Sequence, residues 1–121
     1  MKFEELCDAR YSLRKFDSRP VEAEKLQKVL EAGRKAPTAH NLQPQRFFVM
    51  QSEEALAKAD ACTACHFHPP VVIVAAYDPE ISWKREEDGK NHGEIDVTLA
   101  VSQIDAAGSR TGTGNNVCWY V

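Results

Sequence analysis

The sequence predicts a small layered fold of the α/β or α+β class, and three observations support this prediction. Segments with helical spacing alternate with segments rich in β-branched and aromatic residues. The chain has 121 residues, the length of one domain with one modest core. Apolar residues make up 43% of the chain and charged residues 27%, which are ordinary values for a globular protein.

The first three predicted helices are short and amphipathic. Residues 2–9 and 22–35 carry apolar side chains at helical spacing. In the second of these helices, acidic residues occupy the first turn and basic residues the last, an order that suits the helix dipole. Residues 53–61 are rich in alanine, and Ser52 is the expected N-cap.

The fourth predicted helix covers residues 94–107. We expect Ile95, Leu99 and Ile104 to face the core and Asp105 to lie near the same face. Gly108 should weaken the end of this helix by roughly 1 kcal/mol. A turn is expected over residues 111–116.

Three strands are predicted, which would make a thin sheet. Residues 46–51 read R-F-F-V-M-Q and predict a strand, and residues 71–77 form a continuous β-branched run typical of a strand buried on both faces. Residues 117–121 form the last predicted strand. So few strands suggest that a further part of the fold is absent or that a partner supplies it.

Charge and hydropathy exclude several classes of function. The net charge is −3 and the pI about 5.8, so no basic surplus is available to neutralise a nucleic-acid backbone. The longest apolar run, residues 71–77, is far too short to span a membrane. The N-terminus carries no apolar signal region, and we therefore expect a cytoplasmic protein with free thiols.

The segment of residues 10–14 collects cations and hydroxyls. In an extended chain, Arg10, Ser12 and Arg14 can point the same way. Guanidinium groups and a hydroxyl are suitable donors for a phosphate group. On chemistry alone, however, a solvated basic turn after the helix is the favoured interpretation.

The segment of residues 37–43 is polar. Pro37 begins it and Pro44 follows it, and both prolines stiffen the backbone. Asn41 and Gln43 carry amides that donate and accept hydrogen bonds together. A planar heterocycle with ring carbonyls and nitrogens would be a natural ligand for them. Taken alone, the segment could also be an ordinary connecting loop.

Taken together, these two segments resemble the paired signature of the nitroreductase family. Residues 10–16 read R-Y-S-L-R-K-F, where the family has R-R-S-x-R-x-F. Pro20 and Val21 follow, and residues 36–47 read A-P-T-A-H-N-L-Q-P-Q-R-F, where the family has A-P-S-x-x-N-x-Q-P-x-x-F. Weaker similarity continues through residues 70–74, 94–97 and 118–119.

The resemblance implies an α+β, three-layer fold, with a central mixed or antiparallel sheet flanked by helices. It implies one domain over residues 1–121 that lacks the C-terminal part of the family fold. Members are homodimers with FMN at the subunit interface. They reduce nitroaromatic, quinone or similar electron-poor acceptors by a ping-pong mechanism, in which NAD(P)H first gives a hydride to the flavin.

The resemblance also implies which residues bind FMN. One chain would hold the phosphate, ribityl or pyrimidine edge through Arg10, Tyr11, Ser12 and Arg14. The other chain would line the isoalloxazine and ribityl with Pro37, Thr38, Ala39, Asn41 and Gln43. Backbone amides of Tyr120 and Val121 would lie near the redox edge. No catalytic acid, base, nucleophile or metal ligand is implied.

Two alternatives compete with this interpretation. The first is a truncated, catalytically weak flavin-binding remnant with a structural role. The second is a small haem- or zinc-binding module, because Cys62, Cys65 and His66 match the C-x-x-C-H haem-attachment motif, and His68 could complete a zinc site. The same two cysteines could also form a redox dithiol or be incidental thiols.

Overall fold

The computed structural model describes residues 1–113. Over this range, four α-helices, one 3-10 turn and two strands follow each other along the chain. They are α1 (Phe3–Ala9), α2 (Ala23–Arg34), the 3-10 turn (Ala39–Asn41), β1 (Gln45–Met50), α3 (Glu53–Ala61), β2 (Val72–Tyr77) and α4 (Gly93–Thr111). The predicted strand at 117–121 lies outside the described residues.

The described helices begin and end close to their predicted bounds. Ser52 caps α3 as expected, since its hydroxyl accepts a hydrogen bond from the Ala55 backbone N–H at 3.2 Å. Helix α4 is longer than predicted, because it continues through the buried Gly108 to Thr111 and ends at Gly112 with φ 73°. The beginning of the predicted turn at 111–116 is therefore helical.

The two described strands pair in an antiparallel sheet, with Gln45 opposite Tyr77 and Met50 opposite Val72. Residues that alternate along a strand point to opposite faces of a sheet. One face is directed toward the helices, since a Cβ atom on Gly33 of α2 would meet the Phe47 ring.

The opposite face of the sheet is partly open. The cross-strand neighbours Phe48 and Val74 are 55% and 40% exposed. The prediction that residues 71–77 are buried on both faces is therefore wrong for the described chain. A run of β-branched residues indicates which residues suit a sheet, but it does not say whether a layer covers each face.

Helix α4 is the centre of the packing and lies against α2 and the sheet. The buried apolar side chains come mainly from these two helices: Val29, Ala36, Val97, Ala100 and Ile104. Gly33 lets the helices approach, because a Cβ atom there would lie only 2.7 Å from Ile104 Cδ1.

The buried face of α4 differs from the predicted one. Ile104 is buried, but Ile95 and Leu99 are each 44% exposed, so the prediction that all three face inward is wrong. Ile95 and Ile104 are nine residues apart, which is roughly two and a half turns and places them on opposite sides of a helix. Asp105 does lie on the buried side, as expected.

Candidate functional site

The cationic segment (residues 10–14) follows α1 and lies on the surface. Arg10, Tyr11, Ser12 and Arg14 are all exposed. The Arg14 guanidinium approaches the Ser12 carbonyl oxygen at 3.5 Å, a weak contact that leaves its fork accessible. All four predicted FMN ligands of this segment are therefore accessible to solvent.

Arg10 is tied to α4 by an ion pair. Its Nη1 atom lies 3.4 Å from Asp105 Oδ2, across 95 residues of sequence. Because the Asp105 carboxylate is buried and the Arg10 side chain is about half exposed, the pair fixes one nitrogen of a guanidinium at the surface. This contact ties the start of the cationic segment to α4.

The amide loop (residues 37–43) has an unusual backbone. His40, Asn41 and Gln43 all lie in the left-handed region, with φ of 52°, 53° and 53°. Residues with a Cβ atom occupy this region at a cost, and such positions persist only where surrounding structure fixes them. The loop therefore requires anchors, and the next contacts provide them.

Hydrogen bonds within the amide loop hold its turn. The Gln43 backbone N–H donates to Thr38 Oγ1 at 3.0 Å, and Gln43 Nε2 donates to Asn41 Oδ1 at 3.1 Å. Among residues 1–113, Asn41 Nδ2 and Gln43 Oε1 have no hydrogen-bond partner. One amide donor group and one amide acceptor are thus available side by side.

A buried carboxylate on α4 anchors the start of this loop. The Ala39 backbone N–H donates to Asp96 Oδ1 at 2.9 Å, and Asp96 is only 2% exposed. Sequence analysis did not single out this residue as functional. The available signal was an ionisable residue one position before Val97 and four before Ala100, on the buried side of α4.

Aromatic rings brace the loop from the outside. The Trp83 ring lies 5.0 Å from the His40 ring and 4.6 Å from the His92 ring, measured between centroids. Trp83 begins a hairpin-like excursion in which Lys84 bridges Asn91. The ion pair of this excursion joins Arg85 to Asp88, and it lowers the pKa of the Asp88 carboxyl to about 2.

Two clefts of the described residues lie beside α2 and β1. A cleft of about 270 Å³ is lined by α2 and β1, and a neighbouring one of about 250 Å³ includes Gln43 at its edge. Neither is lined by the cationic segment or by residues 37–42. Of the predicted FMN ligands, Gln43 alone lines either of these two clefts.

The cysteine motif forms a separate cluster at the end of α3. Cys62 is exposed, Cys65 is half-buried, and His66 Nδ1 lies 3.0 Å from Asp60 Oδ2. Among residues 1–113, no group of three or more His, Cys, Asp or Glu side chains is arranged to hold a metal ion. The zinc alternative thus lacks the converging ligands that it requires.

The remaining observations concern the predicted C-terminal ligands and the relation between the two segments. Tyr120 and Val121, predicted near the redox edge, lie outside the described residues. No hydrogen bond or ion pair within residues 1–113 joins the cationic segment to the amide loop. Instead, each segment is tied separately to α4.

None of the described helices is long and apolar enough to cross a membrane.

Comparison with known proteins identifies the pattern. Residues 8–67 match the model of the nitroreductase family. A Streptococcus pyogenes protein named an NAD(P)H nitroreductase is 42% identical over 59 residues, which are 48% of this chain and 30% of that relative.

Solved structures extend the similarity. A nitroreductase family protein from Clostridium difficile superposes with a TM-score of 0.88 at 38% identity, over 93% of this chain and 64% of that one. A nitroreductase from Desulfovibrio desulfuricans, solved in complex with FMN, has a TM-score of 0.74 at 25% identity, over 89% and 62%. The chain thus spans less than two thirds of each relative, and the predicted α+β fold is confirmed.

Proposed function

Because this chain belongs to the nitroreductase family, we propose that it binds FMN and reduces electron-poor acceptors such as nitroaromatics or quinones with NAD(P)H. One observation carries the proposal. The cationic segment and the amide loop, which hold the family signature, are both exposed, and each is tied to α4 through a carboxylate. The two segments proposed to recognise FMN are thereby tied to the same helix.

The cationic segment is suited to the phosphate. Arg10 and Arg14 present guanidinium forks, and Ser12 adds a hydroxyl at the same surface. The contact with Asp105 is made by Nη1 of Arg10, and the Arg10 side chain is 45% exposed, so the guanidinium is accessible to phosphate oxygens. Tyr11 adds its backbone to the same surface.

The amide loop is suited to the ring system and the ribityl chain. Asn41 and Gln43 offer the donor and acceptor that ring carbonyls and ring nitrogens require. Pro37, Thr38 and Ala39 form the side of the loop next to α4 and supply a stiff backbone surface. These assignments, like those of Tyr120 and Val121, remain predictions.

FMN, when bound, supplies the redox chemistry that links NAD(P)H to the acceptor. The residues of the chain bind and orient it, and they shape which substrates can approach. Because the flavin would carry the redox chemistry, the signature needs no catalytic acid or base of its own. Which acceptor is reduced, and whether NADH or NADPH is preferred, are open to measurement with the purified protein.

A second copy of the chain would complete the site. The predicted FMN ligands lie on an open surface, whereas cofactor sites usually enclose most of their ligand. Ile95 and Leu99 form an exposed apolar stripe on the outer face of α4, next to the half-buried Ala106. We therefore propose a homodimer with FMN between the subunits, and the cytoplasm remains the predicted location.

An FMN titration of the purified chain tests the proposal directly. Binding should quench flavin fluorescence and leave the protein yellow. Arg10→Ala and Arg14→Ala should each raise the Kd about tenfold, because each removes a charge-assisted contact to phosphate. Arg19→Ala removes an exposed cation outside both segments and should leave the Kd unchanged.

Other outcomes would contradict the proposal in different ways. A chain that stays colourless and takes up no FMN would overturn it in favour of a remnant without flavin. A red protein with a Soret band would indicate haem at Cys62 and Cys65. Unchanged binding in both arginine variants would show that the phosphate lies elsewhere.

A further inference from the structure

We propose that Asp96 is a positioning residue, which holds the amide loop in its ligand-binding conformation through the Ala39 backbone N–H. This inference rests on the proposed function, because it assigns a role to a residue that supports the same site. Asp96 does not touch the cofactor in this proposal. It acts through the loop.

The first argument is the geometry of the contact. Asp96 is the fourth residue of α4, and its Oδ1 atom accepts the Ala39 N–H at 2.9 Å across 57 residues of sequence. Among residues 1–113, this is the one hydrogen bond that joins residues 37–43 to a distant helix or strand. The position of the loop on α4 therefore depends on this carboxylate.

The second argument is the strain that follows the anchor. Immediately after Ala39, the chain enters the left-handed region at His40 and Asn41, and it does so again at Gln43. Each such residue costs on the order of 1–3 kcal/mol, and its conformation persists only where its surroundings fix it. If Ala39 were released, the loop could relax, and the amides of Asn41 and Gln43 would lose their relative placement.

The third argument is the cost of the carboxylate itself. Asp96 is among the largest fully buried side chains, and its Oδ2 atom has no hydrogen-bond partner within residues 1–113. A buried carboxylate with one unsatisfied oxygen destabilises a fold more than an apolar residue of the same shape would. Stability alone therefore does not account for an aspartate at this position, whereas fixing the loop does.

Other contacts also restrain the amide loop, but they act at different positions along it. The ring of His40 lies tilted against the Trp83 ring, and the Asp78 N–H donates to the Pro44 carbonyl at 2.9 Å, just beyond the loop. These contacts restrain the middle and the end of the loop. They leave the N-terminal side of the loop to Asp96.

A matched pair of variants tests the proposal on the full chain. Asp96→Asn and Asp96→Leu keep the branched shape, but only Asn retains an oxygen that can accept from Ala39. We expect Asp96→Leu to raise the FMN Kd about tenfold and to speed hydrogen exchange of the Ala39 amide by at least that factor. Asp96→Asn should keep both within about twofold of the original protein.

Two further variants guard against a general loss of stability. Ile104→Ala creates a cavity eight residues along the same helix, and it should lower the melting temperature without changing the FMN Kd. Ala39→Pro removes the donor instead of the acceptor, and the extended Thr38 (φ −134°, ψ 155°) tolerates a following proline. It should weaken FMN binding even if Asp96→Leu does not fold.

The outcomes separate this inference from the proposed function. Equal FMN affinity in Asp96→Leu and Asp96→Asn would overturn the positioning role while leaving FMN binding intact. An original protein that binds no FMN would overturn the proposed function. If the original protein binds no FMN, hydrogen exchange still tests the contact between Asp96 and Ala39. An Ala39 amide that exchanges equally fast in Asp96→Leu and Asp96→Asn would show that Asp96 does not hold the loop.

Discussion

Ion pairs on the surface of this protein mostly join residues close in sequence, such as Glu31 with Arg34 and Arg85 with Asp88. Pairs of this kind can be anticipated from spacing, and they contribute little to stability because solvent screens them. The pair of Arg10 with Asp105 differs, since it spans 95 residues and half of it is buried. Pairs of that kind orient functional groups.

At the residue scale, the pKa of the Asp88 carboxyl predicts how its contribution to folding stability depends on pH. The Arg85 guanidinium lowers the pKa of this carboxyl from its ordinary 3.8 to about 2, because it donates hydrogen bonds to the charged form. The contribution to folding is therefore complete above pH 3.8 and is lost as the pH falls through about 2.

A carbon-13 NMR titration of the Asp88 carboxyl checks this value. The midpoint should lie well below the ordinary value in the original protein, and Arg85→Gln should raise it toward 3.8. An identical midpoint in both proteins would show that Arg85 is not the cause.

The elements show where local pattern suffices and where it does not. The cap at Ser52 and the bounds of α2 follow from residues within a few positions, so the sequence predicted them. The buried face of α4 depends on which distant segments pack against it. Ile95 and Ile104 are the same residue type in the same helix, but Ile95 is exposed and Ile104 is buried.

The contact between α2 and α4 yields a prediction at the element scale. Helix propensity alone would make Gly33→Ala stabilising by up to about 1 kcal/mol. The added Cβ would instead lie within 2.7–2.9 Å of Ile104 and Phe47. We expect the clash to prevail and the free energy of unfolding to fall by about 1–3 kcal/mol.

Chemical denaturation measures the sign of this change. Gln27→Ala, at an exposed position of the same helix, should stay within about 0.5 kcal/mol of the original protein. A Gly33→Ala variant that is more stable than the original would mean that the two helices do not approach as closely as described.

At the scale of the whole molecule, the proposed cofactor-binding segments are exposed in the single chain. Ile95 and Leu99 are exposed on α4, and Phe48 and Val74 remain exposed on the sheet. A second copy on the α4 stripe would bury apolar area and cover the cofactor from the other side. The whole-molecule prediction concerns this association.

We expect Leu99→Glu to shift the protein from dimer to monomer in analytical ultracentrifugation, because the charge would be placed in an apolar interface. The FMN Kd should rise in the same variant, since each site would lose its second subunit. Gln51→Glu adds the same charge at an exposed position away from α4 and should remain dimeric. An original protein that sediments as a monomer would contradict the proposed dimer.

The sequence by itself determined the order of the described helices and strands, most of their bounds, the family and the two candidate FMN-binding segments, because these depend on spacing and residue type over short stretches. Only the tertiary structure decided that Asp96 holds Ala39, that Asp105 holds Arg10 and that Ile95 and Leu99 face outward. These contacts join residues 57 and 95 positions apart or depend on the neighbours of a helix. No local pattern encodes them, because they exist only after distant segments have packed together.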